Sequence, residues 1–235
     1  MPSACFGRLG GPLLLHGVAG DDTLRLDITD REAVERFVRE HAIGAVVNCA
    51  AYTDVERAEE DAERAELLNA TAAGHLARAM KGVGGLLVHV STDYVFDGTA
   101  NKPCTEETRR AAKRLRSDET ARRGGGAGFG CRYVILRTAW LYSEYGRNFL
   151  RTMLRLTEEK EVLRVVFDQT GTPTYARDLA EAIFDIVEHR KYEGREGIYH
   201  SRTRASARGT TSPGPSPNTP ETPPATSAPA TATTF

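Results

Sequence analysis

Short apolar runs alternate with helical periods through the first 200 residues of the chain. The apolar runs have the length of strands, and they are Ala45–Cys49, Leu86–Val90 and Tyr133–Arg137. Runs that are apolar at nearly every position are typical of strands buried on both faces of a parallel sheet. Apolar residues also recur at helical spacing, in the stripes Val34/Phe37/Val38, Leu76/Met80, Leu150/Leu154 and Leu179/Ile183/Ile186/Val187. This alternation predicts an α/β fold with a doubly wound parallel sheet.

Local signals refine the ends of these elements. Thr29 and Glu32 have the spacing of a capping box, which predicts that the first helix begins there. The last helix is predicted to begin near Asp178. A doubly wound fold usually opens with a buried strand, and Met1–Phe6 is short and polar for that role. We expect the run Leu24–Leu26 to lead to Asp27 at the edge of the sheet.

Two segments have a different composition from the rest of the chain. Residues 201–235 contain no Val, Ile, Leu or Met but seven of the eleven prolines, so we predict a disordered tail after a single domain at 1–200. Residues 109–130 carry seven basic and two acidic residues, followed by five glycines in seven positions. A solvated basic helix and a flexible loop are one interpretation. The alternative is that both segments come from GC-rich coding sequence translated in a shifted frame.

The overall composition excludes several classes of protein. A net charge of -1 argues against nucleic-acid binding, and the lack of an apolar run near the roughly 20 residues of a membrane helix argues against a spanning protein. No secretory signal is visible. The four cysteines lack C-x-x-C spacing, so neither a metal site nor a disulfide framework is predicted. A reducing cytoplasm is the expected compartment.

Small and hydroxylated residues follow the apolar runs. In an open α/β sheet, ligands bind beyond the carboxyl ends of the strands. The segments at these ends are Asp27, Asn48–Thr53, Ser91–Gly98 and Thr138–Trp140. They predict a nucleotide site, because a nucleotide needs close backbone approach and hydroxyl donors. Gly7 and Gly10 supply half of a glycine-rich phosphate loop.

Each of these residues also has a purely structural interpretation. Asp27 could cap a helix, Ser91 and Thr92 could form an ordinary turn at the end of a strand, and Trp140 could be part of the core.

Five segments resemble a known family. They are Thr53–Glu59, Leu67–Ala70, Ser91–Gly98, Leu136–Tyr142 and Asp168–Tyr175. Together they look like dTDP-4-dehydrorhamnose reductase, which belongs to the extended short-chain dehydrogenase/reductase group. The resemblance covers about residues 24–107 and 131–200. It implies a Rossmann-like fold with a small, incomplete substrate lobe from about residue 138 onward. The implied reaction uses NADPH or NADH to reduce the 4-keto group of a dTDP-linked deoxyhexulose to dTDP-L-rhamnose, and a homodimer is left open.

The resemblance also implies roles for individual residues. Asp27 and Ile28 would lie beside the adenosine of the cofactor, and Ala51, Tyr52 and Thr53 would line its pyrophosphate and ribose. Thr92 would be the catalytic residue that hydrogen-bonds the keto oxygen, with Asp93 beside it in the substrate site. Trp140 would pack against the sugar nucleotide, and the turn Gly171–Thr174 would help to form the substrate lobe.

The chain departs from the family at the proton donor. The family uses a tyrosine to give the proton and a lysine four residues later to lower the pKa of that tyrosine. These residues would fall near positions 116 and 120, which hold Arg116 and Thr120. Two hypotheses follow: a reductase that is impaired in this chain, and a non-catalytic nucleotide-binding or regulatory protein on the same fold.

Overall fold

The computed structural model describes residues 4–7, 13–15, 24–53, 60–99, 102–108, 131–165, 170–202 and 207–208, with the backbone alone at 4–7, 13–15, 170 and 207–208. In chain order the strands are β1 Ala4–Gly7, β2 Leu13–Leu15, β3 Ala45–Asn48, β4 Leu86–Thr92, β5 Arg132–Thr138, β6 Leu141–Tyr142, β7 Thr170–Gly171, β8 Thr174–Tyr175, β9 Gly197–His200 and β10 Ala207–Arg208. The α-helices are α1 Arg31–Glu40, α2 Ala62–Glu66, α3 Ala72–Val83, α4 Phe149–Glu159 and α5 Ala176–Glu188. A π-helical segment, Leu67–Thr71, joins α2 to α3, and a 3₁₀ turn, Asp93–Val95, follows β4.

The main sheet has six strands in the order β2-β1-β3-β4-β5-β9. β3 pairs with β4 in parallel, as β5 does with β9, so the predicted α/β class with a parallel sheet and flanking helices is confirmed. The three apolar runs form β3, β4 and β5, and their fully buried residues include Val46, Val88 and Ile135.

The N-terminal edge differs from the prediction. Ala4–Gly7 does form a strand, because its backbone pairs antiparallel with β3 on one side and β2 on the other. This strand takes the position beside β3. We expected the run Leu24–Leu26 to be a strand that leads to Asp27, but this segment has no regular structure. Leu26 and Ile28 nevertheless lie in the apolar core, and the burial of their side chains fixes this segment.

Helix α1 begins one residue later than the capping box predicted. The side chain of Asp30 accepts a hydrogen bond from the backbone N–H of Ala33 at 3.0 Å, so Asp30 rather than Thr29 is the N-cap. Val34 and Val38 lie on the inner face and are fully buried, each contributing about 1.5–3 kcal/mol by leaving water. The helix ends where Ala42 adopts a left-handed conformation. Helix α5 begins at Ala176, slightly before the predicted Asp178.

The chain divides into two compact units, residues Met1–Arg137 with Asp185–His200 and residues Thr138–Phe184 with Ser201–Phe235. In the first, α1 and α3 pack together, and Leu76 and Met80 of α3 are fully buried. The second contains α4 and the two-stranded pairs β6–β8 and β7–β10. The prediction of one domain at 1–200 stays a prediction, and residues 109–130 and most of the tail lie outside the described residues.

Other predictions concern cysteines, metals and membranes. Cys104 and Cys131 are free thiols, and burial raises the pKa of Cys131 to about 11. In the described ranges, no group of three or more His, Cys, Asp and Glu side chains could hold a metal ion. None of the helices in these same ranges has the length and apolar character needed to cross a bilayer.

Candidate functional site

The carboxyl end of β3 is held by a buried polar pair. The amide nitrogen of Asn48 donates a hydrogen bond to Nδ1 of His89 on β4 at 3.0 Å, and both side chains are buried. The amide oxygen of Asn48 accepts from the backbone N–H of Ala50, also at 3.0 Å. Because an amide nitrogen can only donate, His89 accepts at Nδ1. The pair therefore fixes the turn from which the segment 51–53 leaves the sheet.

The segment 51–53 is clamped by Asn69, a residue for which the sequence pattern predicts no role. Asn69 accepts a hydrogen bond from the backbone N–H of Tyr52 at 2.7 Å and donates one to the carbonyl of Tyr52 at 3.3 Å. Asn69 is buried in the π-helical segment, a local structure that often occurs at functional sites. The sequence offers one signal for Asn69: it is the polar residue in Leu67–Ala70, one of the five segments that resemble the reductase family. Ala51 and Thr53 are exposed on either side of this clamp.

Asp27 and Ile28 lie in the loop before α1. Oδ1 of Asp27 accepts from the backbone N–H of Thr29 at 2.9 Å and from its hydroxyl at 2.7 Å. Because Asp30 caps α1, the helix-cap interpretation of Asp27 is wrong, and its carboxylate lies at the surface. Ile28 is buried, and its carbonyl accepts from Nδ1 of His75 on α3 at 3.3 Å.

Thr92 ends β4, the strand next to β3. Its hydroxyl donates to Oδ1 of Asp93 at 3.1 Å and accepts from the backbone N–H of Tyr94 at 3.2 Å. Desolvation raises the pKa of Asp93, although hydrogen bonds from Thr92 and the backbone partly oppose this. To donate to a ligand, the hydroxyl hydrogen of Thr92 would have to turn away from Asp93. Thr92 is therefore a turn residue at the end of a strand, as its structural interpretation predicted. This position is compatible with a role in binding.

The loop after β4 is anchored at the ends of β5 and β9. Nη1 of Arg137, a buried residue, donates to the carbonyl of Glu106 at 3.2 Å, and its guanidinium lies 5.2 Å from the ring centroid of Phe96. The backbone N–H of His200 donates to Oε1 of Glu106 at 2.9 Å. Burial alone would raise the pKa of Glu106, but backbone N–H groups and the charges of His200 and Arg137 outweigh it, so the net pKa lies below the ordinary value.

Replacing Glu106 by Gln should remove part of the dependence of the free energy of unfolding on pH. A depressed pKa means that the carboxylate stabilises the fold above its unfolded-state pKa, and that this stabilisation is lost as pH falls through the folded-state pKa. We expect Glu106→Gln to lower the free energy of unfolding by under about 1 kcal/mol at neutral pH and by nothing at low pH. Urea denaturation across this range measures it, with Glu107→Gln as the control. A constant difference at every pH would contradict the prediction.

Trp140 belongs to the second unit. Its backbone is left-handed, with φ 48°, a conformation that costs about 1–3 kcal/mol in a residue other than glycine. The carbonyl of Trp140 accepts from the backbone N–H of Thr174 at 3.2 Å, and the indole lies against Gly171. The hydroxyls of Thr138 and Thr174 are buried and have no hydrogen-bond partner in the described part of the chain. The indole is half-buried, so Trp140 is not a fully packed core residue.

The glycine-rich half loop does not fit its predicted role. Gly7 is the last residue of β1, where it is paired with Leu13 of β2 and Ala45 of β3. A phosphate loop needs a helix N-terminus after the strand, and here residues 13–15 form a strand instead. Gly10 lies outside the described residues.

Comparison with known proteins places these features in a family. The family described as RmlD substrate binding domain matches residues 14–212. The chain belongs to the RmlD substrate binding domain family. A dTDP-4-dehydrorhamnose reductase from Burkholderia thailandensis is 43% identical over 182 residues, which are 74% of this chain and 59% of that protein. Its counterpart from Mycobacterium tuberculosis is 42% identical over 195 residues, covering 77% and 63% of the two chains.

Solved structures of dTDP-4-dehydrorhamnose reductases resemble this RmlD-family chain as well. The enzyme from Bacillus anthracis, in complex with NADP, has a TM-score of 0.69 and 35% identity, with 78% of this chain and 65% of that chain covered. The similarity confirms the Rossmann-like fold. The chain spans about three fifths of the length of the curated relatives that it matches.

Proposed function

We propose that this chain carries the fold of a dTDP-4-dehydrorhamnose reductase, an NADPH- or NADH-dependent oxidoreductase that acts on a dTDP-linked deoxyhexulose. The observation that carries the proposal is the anchoring of the segment 51–53 by Asn48 and Asn69, at the same edge of the sheet as Thr92, which ends the neighbouring parallel strand. Ligands of open α/β sheets bind at this edge. The family membership and the NADP complex of the relative from Bacillus anthracis support the same proposal.

The described residues fit a dinucleotide along part of its length. The exposed carboxylate of Asp27 can accept hydrogen bonds from ribose hydroxyls. The side chain of Ile28 is buried in the core, so Ile28 would support the loop beside the adenosine rather than contact the cofactor through that side chain. Ala51 is small and exposed, so a pyrophosphate can approach the backbone of the segment that Asn69 clamps, with Tyr52 and Thr53 beside it. Gly7 is not included, because its backbone is paired in the sheet.

The nicotinamide cofactor supplies the hydride, and the residues of this chain would bind and orient the sugar. A ketone that receives hydride develops negative charge on oxygen and needs hydrogen-bond donors at that position. The Thr92 hydroxyl is such a donor once it turns from Asp93. Trp140 would pack against the sugar nucleotide. We infer a cytoplasmic location from the thiols of Cys104 and Cys131, and the homodimer stays a prediction that light scattering can test.

A second candidate function is supported by the residues at 116 and 120. Arg116 and Thr120 replace the tyrosine and lysine that the family resemblance requires for proton transfer. A chain that lacks them could still bind the cofactor, which is the behaviour of a non-catalytic nucleotide-binding protein. We propose the reductase as the function of the fold, with turnover impaired in this chain.

Calorimetric titration with NADPH and, separately, with dTDP tests the proposal. We expect both to bind, and Asp27→Ala to weaken NADPH binding about tenfold. Asp61→Ala is the control, because Asp61 also precedes a helix, makes no side-chain cap hydrogen bond and lies outside the segments predicted to bind a nucleotide. Equal NADPH affinity in the two variants would contradict the assignment of Asp27. If neither ligand binds the wild-type chain, both candidate functions are wrong.

A further inference from the structure

We infer that Gly171 is a positioning residue, which holds the indole of Trp140 in the orientation that it presents to a sugar nucleotide. The ligand in this statement rests on the proposed function. The positioning itself rests only on geometry within the second unit, to which both residues belong.

The indole lies closer to the backbone of residue 171 than any side chain there would allow. A Cβ atom at this position would be 2.8 Å from Cε2 of Trp140 and 3.1 Å from both Cδ2 and Cζ2. These three atoms belong to the rigid fused ring, so the ring cannot bend locally to make room. Glycine is the residue that permits such a close approach of another group to the backbone. With any other residue, the whole indole would have to rotate or the strand would have to move.

The backbone of Trp140 is fixed, so the ring is the part that would move. The carbonyl of Trp140 accepts from the N–H of Thr174 at 3.2 Å, and the next residue, Leu141, pairs with Thr174 in the β6–β8 ladder. The left-handed φ of 48° at Trp140 is held by this pairing. The turn Gly171–Thr174 therefore contacts Trp140 twice, at the ring through Gly171 and at the carbonyl through Thr174.

An indole face is a flat apolar surface on which a base or a sugar ring can stack. The direction of that face depends on a few degrees of side-chain rotation, which the contact with Gly171 limits. The same turn also carries the buried hydroxyl of Thr174, which has no partner among the residues described. An orientation set by Gly171 therefore decides whether a ligand can stack on the ring.

The chain offers a direct spectroscopic test, because Trp140 is its single tryptophan. Intrinsic fluorescence of the full chain therefore reports on this indole alone. Gly171→Ala should shift the emission maximum of the unliganded protein and weaken binding of dTDP about tenfold. Gly82→Ala is the matched control, because a Cβ atom there meets nothing within 4 Å. Neither Gly171 nor Gly82 has a positive φ, so alanine strains the backbone at neither position.

A double-mutant cycle separates positioning from a general loss of structure. If Gly171→Ala acts through the indole, adding it to Trp140→Ala should leave dTDP affinity, measured by calorimetry, unchanged. Thermal unfolding and NADPH titration of each variant show whether the fold is kept. An unchanged emission maximum in Gly171→Ala, or additive losses of affinity in the cycle, would overturn the inference. If wild-type protein does not bind dTDP, the substrate part of the proposed function is wrong, and the emission spectra alone decide the positioning.

Discussion

The purified chain is expected to oxidise NADPH in the presence of a dTDP-linked 4-keto deoxyhexulose at a negligible rate. General acid catalysis by a positioned side chain contributes about 10²–10⁴-fold to a rate, and the chain has Arg116 and Thr120 where the resemblance requires the tyrosine and lysine. An arginine does not give up its proton near neutral pH, and a threonine carries no charge that could lower the pKa of a neighbouring acid. Loss of NADPH absorbance over time measures the turnover.

This rate must be measured on protein that demonstrably binds the cofactor. The control is therefore an NADPH titration of the same preparation, which separates a missing acid from a site that does not form. Turnover near the enzyme median of roughly 10 per second would show that another group donates the proton. A chain in which residues 109–130 are replaced by the translation of the same gene segment in another frame tests the frame-shift hypothesis. If that translation restores Tyr-x-x-x-Lys, turnover should return with it.

The parts of the fold that sequence could predict are those with strong periodicity. β3, β4 and β5 lie where nearly continuous apolar runs predicted them, since burial on both faces leaves few polar positions in the pattern. Helices α1 and α3 follow their apolar stripes, because each helix buries one face. The N-terminal hairpin was not predictable, because its short strands are stabilised by backbone pairing, β1 with β3 and β2 with β1, and such pairing leaves little trace in the side-chain pattern.

The candidate site was predictable to a lesser degree. The carboxyl ends of the strands pointed to the segment 51–53 and to Thr92, since topology places such ends at one edge of a sheet. The supporting residues Asn69 and Glu106 could not be found from spacing, because their partners are backbone groups 17 and 94 residues away in the chain. The role predicted for Gly7 does not fit the structure for a related reason. A glycine can occur in a phosphate-binding loop or in a strand, and only the pairing of β1 distinguishes the two.

The hydrogen bonds of Asn69 suggest that it is a positioning residue for the cofactor. Asn69 does not need to touch a ligand, because it satisfies both backbone groups of Tyr52 and so holds the segment 51–53 in one conformation. Leucine has a similar volume and can make neither bond. Each backbone group left unsatisfied in a partly buried position costs about 1–3 kcal/mol. A single substitution therefore removes two anchors of the segment without opening a large cavity.

We expect Asn69→Leu to lower the free energy of unfolding by about 2–4 kcal/mol and to weaken NADPH binding at least tenfold. The control is Thr71→Leu, which places the same side chain at an exposed position of the same π-helical segment and breaks no described hydrogen bond. Urea denaturation measures the first quantity. Titration at a temperature where both variants are folded measures the second. If Asn69→Leu loses stability but binds NADPH as tightly as Thr71→Leu does, Asn69 supports the fold alone, and the segment 51–53 does not form the pyrophosphate side of the site.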